Sequence, residues 1–143
     1  MDEQRRRRLA NVLGVALGVV LVLGFGLGRV VGGGPDPAAT CDDPVVWHEA
    51  EAHIGQDAAV VGPVAAVRTV EEVGGAPTFV NLGSAHPDPG RFDIVIYADV
   101  RSEFDASPEE LFGDREVCVV GHVRERDGVA QIVLDAAWSI EAR

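Results

Sequence analysis

At 143 residues the chain has room for one domain, and its formal charge of −11 argues against a polyanion-binding surface spread over the whole molecule. The charge is unevenly divided: setting aside Asp2, Glu3, Arg5 to Arg8 and Arg29 leaves 21 acids against seven arginines, a formal charge of −14 beyond the first apolar run. That balance excludes a protein that coats nucleic acid with basic surface; it reads as a solubilising exterior that would attract a basic partner.

Residues 1–8 form a short basic tag ending in Arg5-Arg6-Arg7-Arg8. Leu9 to Val31 follows as an apolar run interrupted only by Arg29 near its far end. As a helix it would reach roughly 35 Å, enough to cross a hydrocarbon core of about 30 Å with some tilt. Arginines are retained on the cytoplasmic side, so the expected arrangement is a single-pass anchor in the cell membrane, N-terminus inside and the rest outside. Arg29 can snorkel to the far interface. A cleaved signal peptide would have a shorter apolar core and a small-residue site close behind it. Here Ala38-Ala39-Thr40 lies beyond a Gly/Pro stretch, so the anchor is expected to stay. Gly14/Gly18 and Gly24/Gly28 have the spacing that lets two helices pack as a dimer, although glycine is also simply common in membrane helices.

Residues 32–44 read as a linker, and 45–143 as one outward-facing domain. Cys41 and Cys118 both lie beyond the anchor, where oxidation is permitted. They could form one disulfide; alternatively Cys118, inside the apolar run Val117 to Val120, is a buried free thiol.

Val45 to Ile54 has few breakers and ends at Gly55, which predicts a short helix with Trp47 and Ile54 on one face. His48-Glu49 and His53 invite comparison with the zinc motif HExxH, but histidines five apart diverge by about 140° on a helix, so they read as solvated. Ala58 to Val70 is a long strand bent at Gly62-Pro63. Thr78 to Gly83 is the second strand and Phe92 to Val100 the third, in which Phe92, Ile94 and Ile96 alternate with Asp93, Val95 and Tyr97. Ser107-Pro108-Glu109-Glu110 is a capping box with proline at the first helical position, marking one or two helical turns. Glu116 to Glu125 and Val129 to Asp135 are strands four and five, joined across Asp127-Gly128 in a tight hairpin. A bent first strand and a short helix between strands three and four describe an all-β, five-stranded OB barrel.

The residues that mark this pattern resemble those of a bacterial family. Trp47-x-x-Ala50, Ile54-Gly55, Val61-Gly62-Pro63-Val64, Pro77-Thr78-Phe79-x-Asn81-Leu82-Gly83, Pro87-Asp88-Pro89 and Phe92-x-x-Val95-Ile96 resemble the small secreted OB-fold domains that occur alone or beside thermonuclease-like nuclease domains. The likeness runs on through Phe104, Pro108-Glu109, Cys118-Val119-x-Gly121, Gly128-Val129-x-Gln131-Ile132-Val133 and Ile140-Glu141. The resemblance implies an OB-like binding module of the kind held to bind nucleic acid, without the nuclease.

OB barrels take single strands by stacking bases on aromatics over strands two and three, with basic loops holding the backbone. The candidate ligand face is therefore Phe79 and Tyr97 with Arg68, Arg101, Arg124 and Arg126. Glu71, Glu72, Glu103, Asp105, Glu125 and Asp127 are expected at the same end, six acids against four arginines. The acidic balance favours a second class, a protein-interaction or scaffolding module meeting a partner at the cell envelope. A haem-chaperone role like that of anchored cytochrome-maturation proteins is excluded by Ala136 to Glu141, which lacks the histidine such proteins use. No nucleophile elbow, phosphate-cradling loop or metal-ligand spacing is present, so neither catalysis nor a cofactor or metal is expected.

Overall fold

The computed structural model describes residues 39–143. The tag 1–8, the expected anchor Leu9–Val31 and linker residues 32–38 lie outside the described residues. Among the described residues no helix is long and apolar enough to cross a membrane.

The domain is mostly β. Strand β1 (Val45–Val46) leads into a 3-10 helix (Trp47–His53), then β2 (Asp57–Thr69), β3 (Thr78–Leu82), β4 (Phe92–Ile96), α1 (Ala98–Arg101), α2 (Pro108–Phe112), β5 (Glu116–Arg126), β6 (Val129–Val133), a 3-10 turn (Ala137–Ser139) and β7 (Ile140–Ala142). The strand order is β1-β2-β3-β4-β6-β5-β7, and a further β2–β5 pairing closes β2, β3, β4, β6 and β5 into a ring.

Two long strands make the closure possible, each serving two neighbours in succession. Asp57 to Pro63 of β2 pairs with His122 to Glu116 of β5, whereas Val64 to Thr69 pairs with Leu82 to Thr78 of β3. The handover falls at Gly62-Pro63 and at a register shift between Val64 and Ala66. Proline has no N–H to give to a ladder, so it fits where the strand leaves one partner for the next. Its carbonyl is still used, accepting from Gly83 N at 2.9 Å. β5 repeats the device, passing from β2 to β6 after His122, with Gly121 against the Ile132 side chain at the switch. β4 and β6 pair in parallel, and the remaining ring pairings are antiparallel.

Inside the ring the alternating residues of every strand meet. Val60, Leu82, Phe92, Ile94, Val119 and Ile132 are almost wholly buried, each such side chain contributing about 1.5–3 kcal/mol by leaving water. Phe112 of α2 closes the core, edge-on to Phe104 at 5.7 Å between ring centroids. The helix is set by its capping box: Ser107 Oγ accepts from Glu110 N while Glu110 Oε2 accepts from Ser107 N.

Three expectations need correction. Val45–Ile54 is not one helix: Val45 and Val46 pair in parallel with Val60 and Val61, and only then does the 3-10 helix begin. The third strand ends at Ile96 rather than Val100, because the chain turns helical after Tyr97, with Arg101 N bonding Tyr97 O at 2.8 Å. The fifth ends at Val133 and is followed by β7, which pairs with Val117 to Val119 of β5. Cys41 and Cys118 form a disulfide. It joins the segment entering the domain to β5, and Arg143 adds a hydrogen bond to the Cys41 carbonyl.

Candidate ligand-binding cleft

The outer face of β2, β3, β4 and β6 carries two cross-strand rows. Register alignment runs Arg68–Phe79–Val95–Val133 in one and Asn81–Asp93–Gln131–Arg124 in the next. Outward residues of a curved sheet are ordinarily solvated, yet every residue of β4 is buried. The reason is that the turn between β2 and β3, the loop between β3 and β4, and the β5–β6 hairpin rise around this face. They leave a cleft of about 330 Å³.

Its floor is Asn81, Asp93, Val95 and Gln131, all buried. One wall is aromatic and apolar. Tyr97 stands against Gly75, whose positive φ of 82° lets the turn pass so close that a Cβ there would sit 2.7 Å from the ring. Phe79 carries the Arg68 guanidinium at 6.0 Å from its ring centroid, and Val73 lies on the rim, 53% exposed. The opposite rim brings His86, Arg91, Arg126 and Asp127.

The floor is held by a compact polar network. Asp93 Oδ1 accepts from Asn81 Nδ2 at 2.7 Å and from Arg91 Nε at 2.9 Å. Asn81 Oδ1 in turn accepts from His86 N at 3.3 Å, and Arg91 Nη1 donates to Asp88 O at 2.8 Å. The loop is thus pinned to the strands, and the Arg91–Asp93 pair is nearly dry, with side chains 11% and 6% exposed. Breaking one partner of such a pair costs about 3–5 kcal/mol, so the floor is rigid.

The structure brings Phe79, Tyr97, Arg68 and Arg126 together in this cleft. The other two candidates are elsewhere in role. Arg101 Nη1 is engaged by Ala76 O at 2.6 Å and Thr78 Oγ1 at 2.9 Å, bracing the β2–β3 turn from behind. Arg124 is exposed on β5 and does not line the cleft. Of the six acids expected at this end, only Asp127 lines it. The lining therefore holds three of the domain's seven arginines, Arg68, Arg91 and Arg126, against Asp93 and Asp127. Arg91 pairs with Asp93 and Arg126 lies 3.9 Å from Asp127, which leaves the lining one formal positive charge in an otherwise acidic domain.

Sequence reasoning missed Asn81, Arg91, Asp93 and Gln131. The signal for Asn81, Asp93 and Gln131 was polar side chains at outward positions of otherwise apolar strands, which ordinarily means solvent, and Arg91 stands in the loop just before β4. Their adjacency depends on the parallel β4–β6 pairing, in which Asp93 stands opposite Gln131.

No protein-family model and no curated protein matches the chain. Among solved structures it is similar to the Stn1–Ten1 complex of S. pombe, at 17% identity over 61% of this chain and 57% of that one, with a TM-score of 0.42. It is also similar to asparaginyl-tRNA synthetase from Pyrococcus horikoshii complexed with asparaginyl-adenylate, at 18% identity, 70% of this chain, 22% of that one and a TM-score of 0.45. The chain thus spans little more than half of the first and under a quarter of the second. Both likenesses are loose, and nothing about this chain's ligand follows from them.

Proposed function

We propose that the closed ring is an OB barrel and that its outer-face cleft binds single-stranded nucleic acid, one or two nucleotides at a time, without catalysis. The observation that carries the reading is the cleft itself: two aromatic side chains and three arginines converge on a rigid floor in a domain that is otherwise strongly acidic. Tyr97 and Phe79 supply flat apolar surface for a base, and Arg68, over the Phe79 ring, and Arg126, 3.9 Å from Asp127, supply cations at the rim for a phosphate. The resemblance to small bacterial OB-fold domains supports the same role. The proposal sets the domain outside the cell membrane, on the strength of Leu9–Val31 and the arginines before it.

The test is fluorescence anisotropy of labelled single-stranded DNA and RNA oligomers with the full chain, at low and physiological salt. The expected result is micromolar binding that weakens with salt as few phosphates are neutralised. Tyr97→Leu should weaken it about tenfold or more while Tyr97→Phe retains it, since base stacking on an aromatic is worth about 1–3 kcal/mol. Absence of binding at low salt would overturn the reading.

A second reading, a protein-interaction module at the envelope, is favoured by Trp138, which stands 83% exposed on the 3-10 turn before β7, and by the acidic exterior. It predicts capture of a basic protein partner that is lost in salt and in Trp138→Ala.

A further inference from the structure

The floor of the cleft contains polar groups that the fold does not use. Gln131 is 93% buried, since only 7% of it is exposed, and its side-chain amide makes no hydrogen bond. Asp93 is 4% exposed, and both hydrogen bonds it accepts fall on Oδ1, leaving Oδ2 without a partner. Yet among the described residues no fully enclosed side-chain polar atom lacks a partner. The Gln131 amide and Asp93 Oδ2 are therefore open to solvent, and the space they share is the cleft. A buried polar group held open in this way leaves its hydrogen-bonding capacity for a ligand.

The chemistry of the pair selects among ligands. Asp93 faces the Arg91 guanidinium through Oδ1, and its oxygens serve as acceptors. Gln131, opposite it across the β4–β6 pairing, can donate through Nε2 and accept through Oε1. The neighbouring Asn81 amide is committed at both ends, to Asp93 and to His86 N. A ring lying on Tyr97 and Phe79 thus meets an acceptor beside an amide. Guanine is the nucleobase whose edge presents two adjacent N–H donors, N1 and N2, next to a carbonyl, O6. Adenine would put its N1 lone pair toward the carboxylate, cytosine offers one donor group, N4, beside two acceptors, N3 and O2, and thymine or uracil offers a single N3–H donor between two carbonyls.

We propose that Asp93 and Gln131 read the edge of a guanine base seated in the cleft, with Asp93 Oδ2 accepting from N1–H and N2–H and Gln131 Nε2 donating to O6. The inference rests on the nucleic-acid reading above and adds to it a base preference set by two residues. The cost of the wrong base is a desolvated carboxylate oxygen, Asp93 Oδ2, left without a donor, which is why discrimination by unmet hydrogen bonds exceeds discrimination by shape.

The experiment is anisotropy on the full chain with abasic deoxyribose oligomers carrying one central guanine, hypoxanthine, adenine or cytosine. Guanine should bind about tenfold or more above adenine and cytosine, with hypoxanthine between, because it keeps N1–H and O6 but lacks the N2 donor. Gln131→Met, close in volume and without an intramolecular partner to lose, should flatten the preference several-fold with an unchanged melting temperature. Equal binding of all four oligomers overturns the guanine assignment while leaving the nucleic-acid reading standing. A preference that survives Gln131→Met overturns the role of Gln131. Absence of binding to any oligomer overturns both.

Discussion

Arg101 and Arg68 are both arginines that sequence reasoning assigned to the ligand face, and the structure gives them different work. Arg68 lies over Phe79 with its guanidinium at the cleft. Arg101 holds Ala76 O and the fully buried Thr78 Oγ1, and Thr78 Oγ1 also shares a 2.7 Å hydrogen bond with Thr69. Removing Arg101 leaves a carbonyl and a hydroxyl short of a donor behind the β2–β3 turn, at a cost of about 1–3 kcal/mol. Arg101→Ala should therefore lower the melting temperature by about 5–15 °C, whereas Arg124→Ala, at an exposed position without such bonds, should leave it within a degree or two. Equal melting temperatures for the two variants would contradict this division. One-dimensional reasoning separated neither arginine from the ligand set, because charge and spacing do not say whether a guanidinium faces solvent or the back of a turn.

Among the elements, β2 was the most legible. Gly62-Pro63 announced a bend, and the bend is where β2 passes from β5 to β3. The capping box at Ser107 was equally plain, since it is a local motif whose hydrogen bonds lie within four residues. Boundaries were lost where tertiary pairing overrides local propensity. Val45-Val46 became a strand because β2 offers it an edge, and β7 formed because the outer side of β5 was free. The third strand stops at Ile96 where Ala98 and Asp99, poor strand residues, follow the aromatic. What fixes the 3-10 helix to the barrel is Trp47, whose ring lies on Gly62 of β2 and on Gly83 just past β3. A Cβ at Gly62 would stand 2.6 Å from Trp47 Cδ1, so the ring or the strand would have to shift. Gly62→Ala should cost about 1–3 kcal/mol through overpacking and shift the Trp47 fluorescence; an unchanged melting temperature would show that the ring is not seated there.

The whole described domain divides its labour between two halves of the ring. The half built from β1, the start of β2, the start of β5 and β7 carries the disulfide, which spans 77 residues of sequence. In the chain-entropy account a loop of that length is worth about 4–5 kcal/mol. The other half, from the end of β2 through β3, β4 and β6, carries the cleft. The disulfide and the cleft thus lie on different halves of the domain, and of the acids among the described residues only Asp93 and Asp127 line the cleft. We propose above that single-stranded nucleic acid occupies this cleft. Photocrosslinking tests it most directly, using the full chain with an iodouridine-bearing oligomer that contains one guanine, followed by mass-spectrometric mapping of the attached peptide. The predicted attachment is at Tyr97 or Phe79, and it should diminish with Tyr97→Leu. Attachment at Trp138, or none at low salt, would overturn nucleic-acid binding at this cleft.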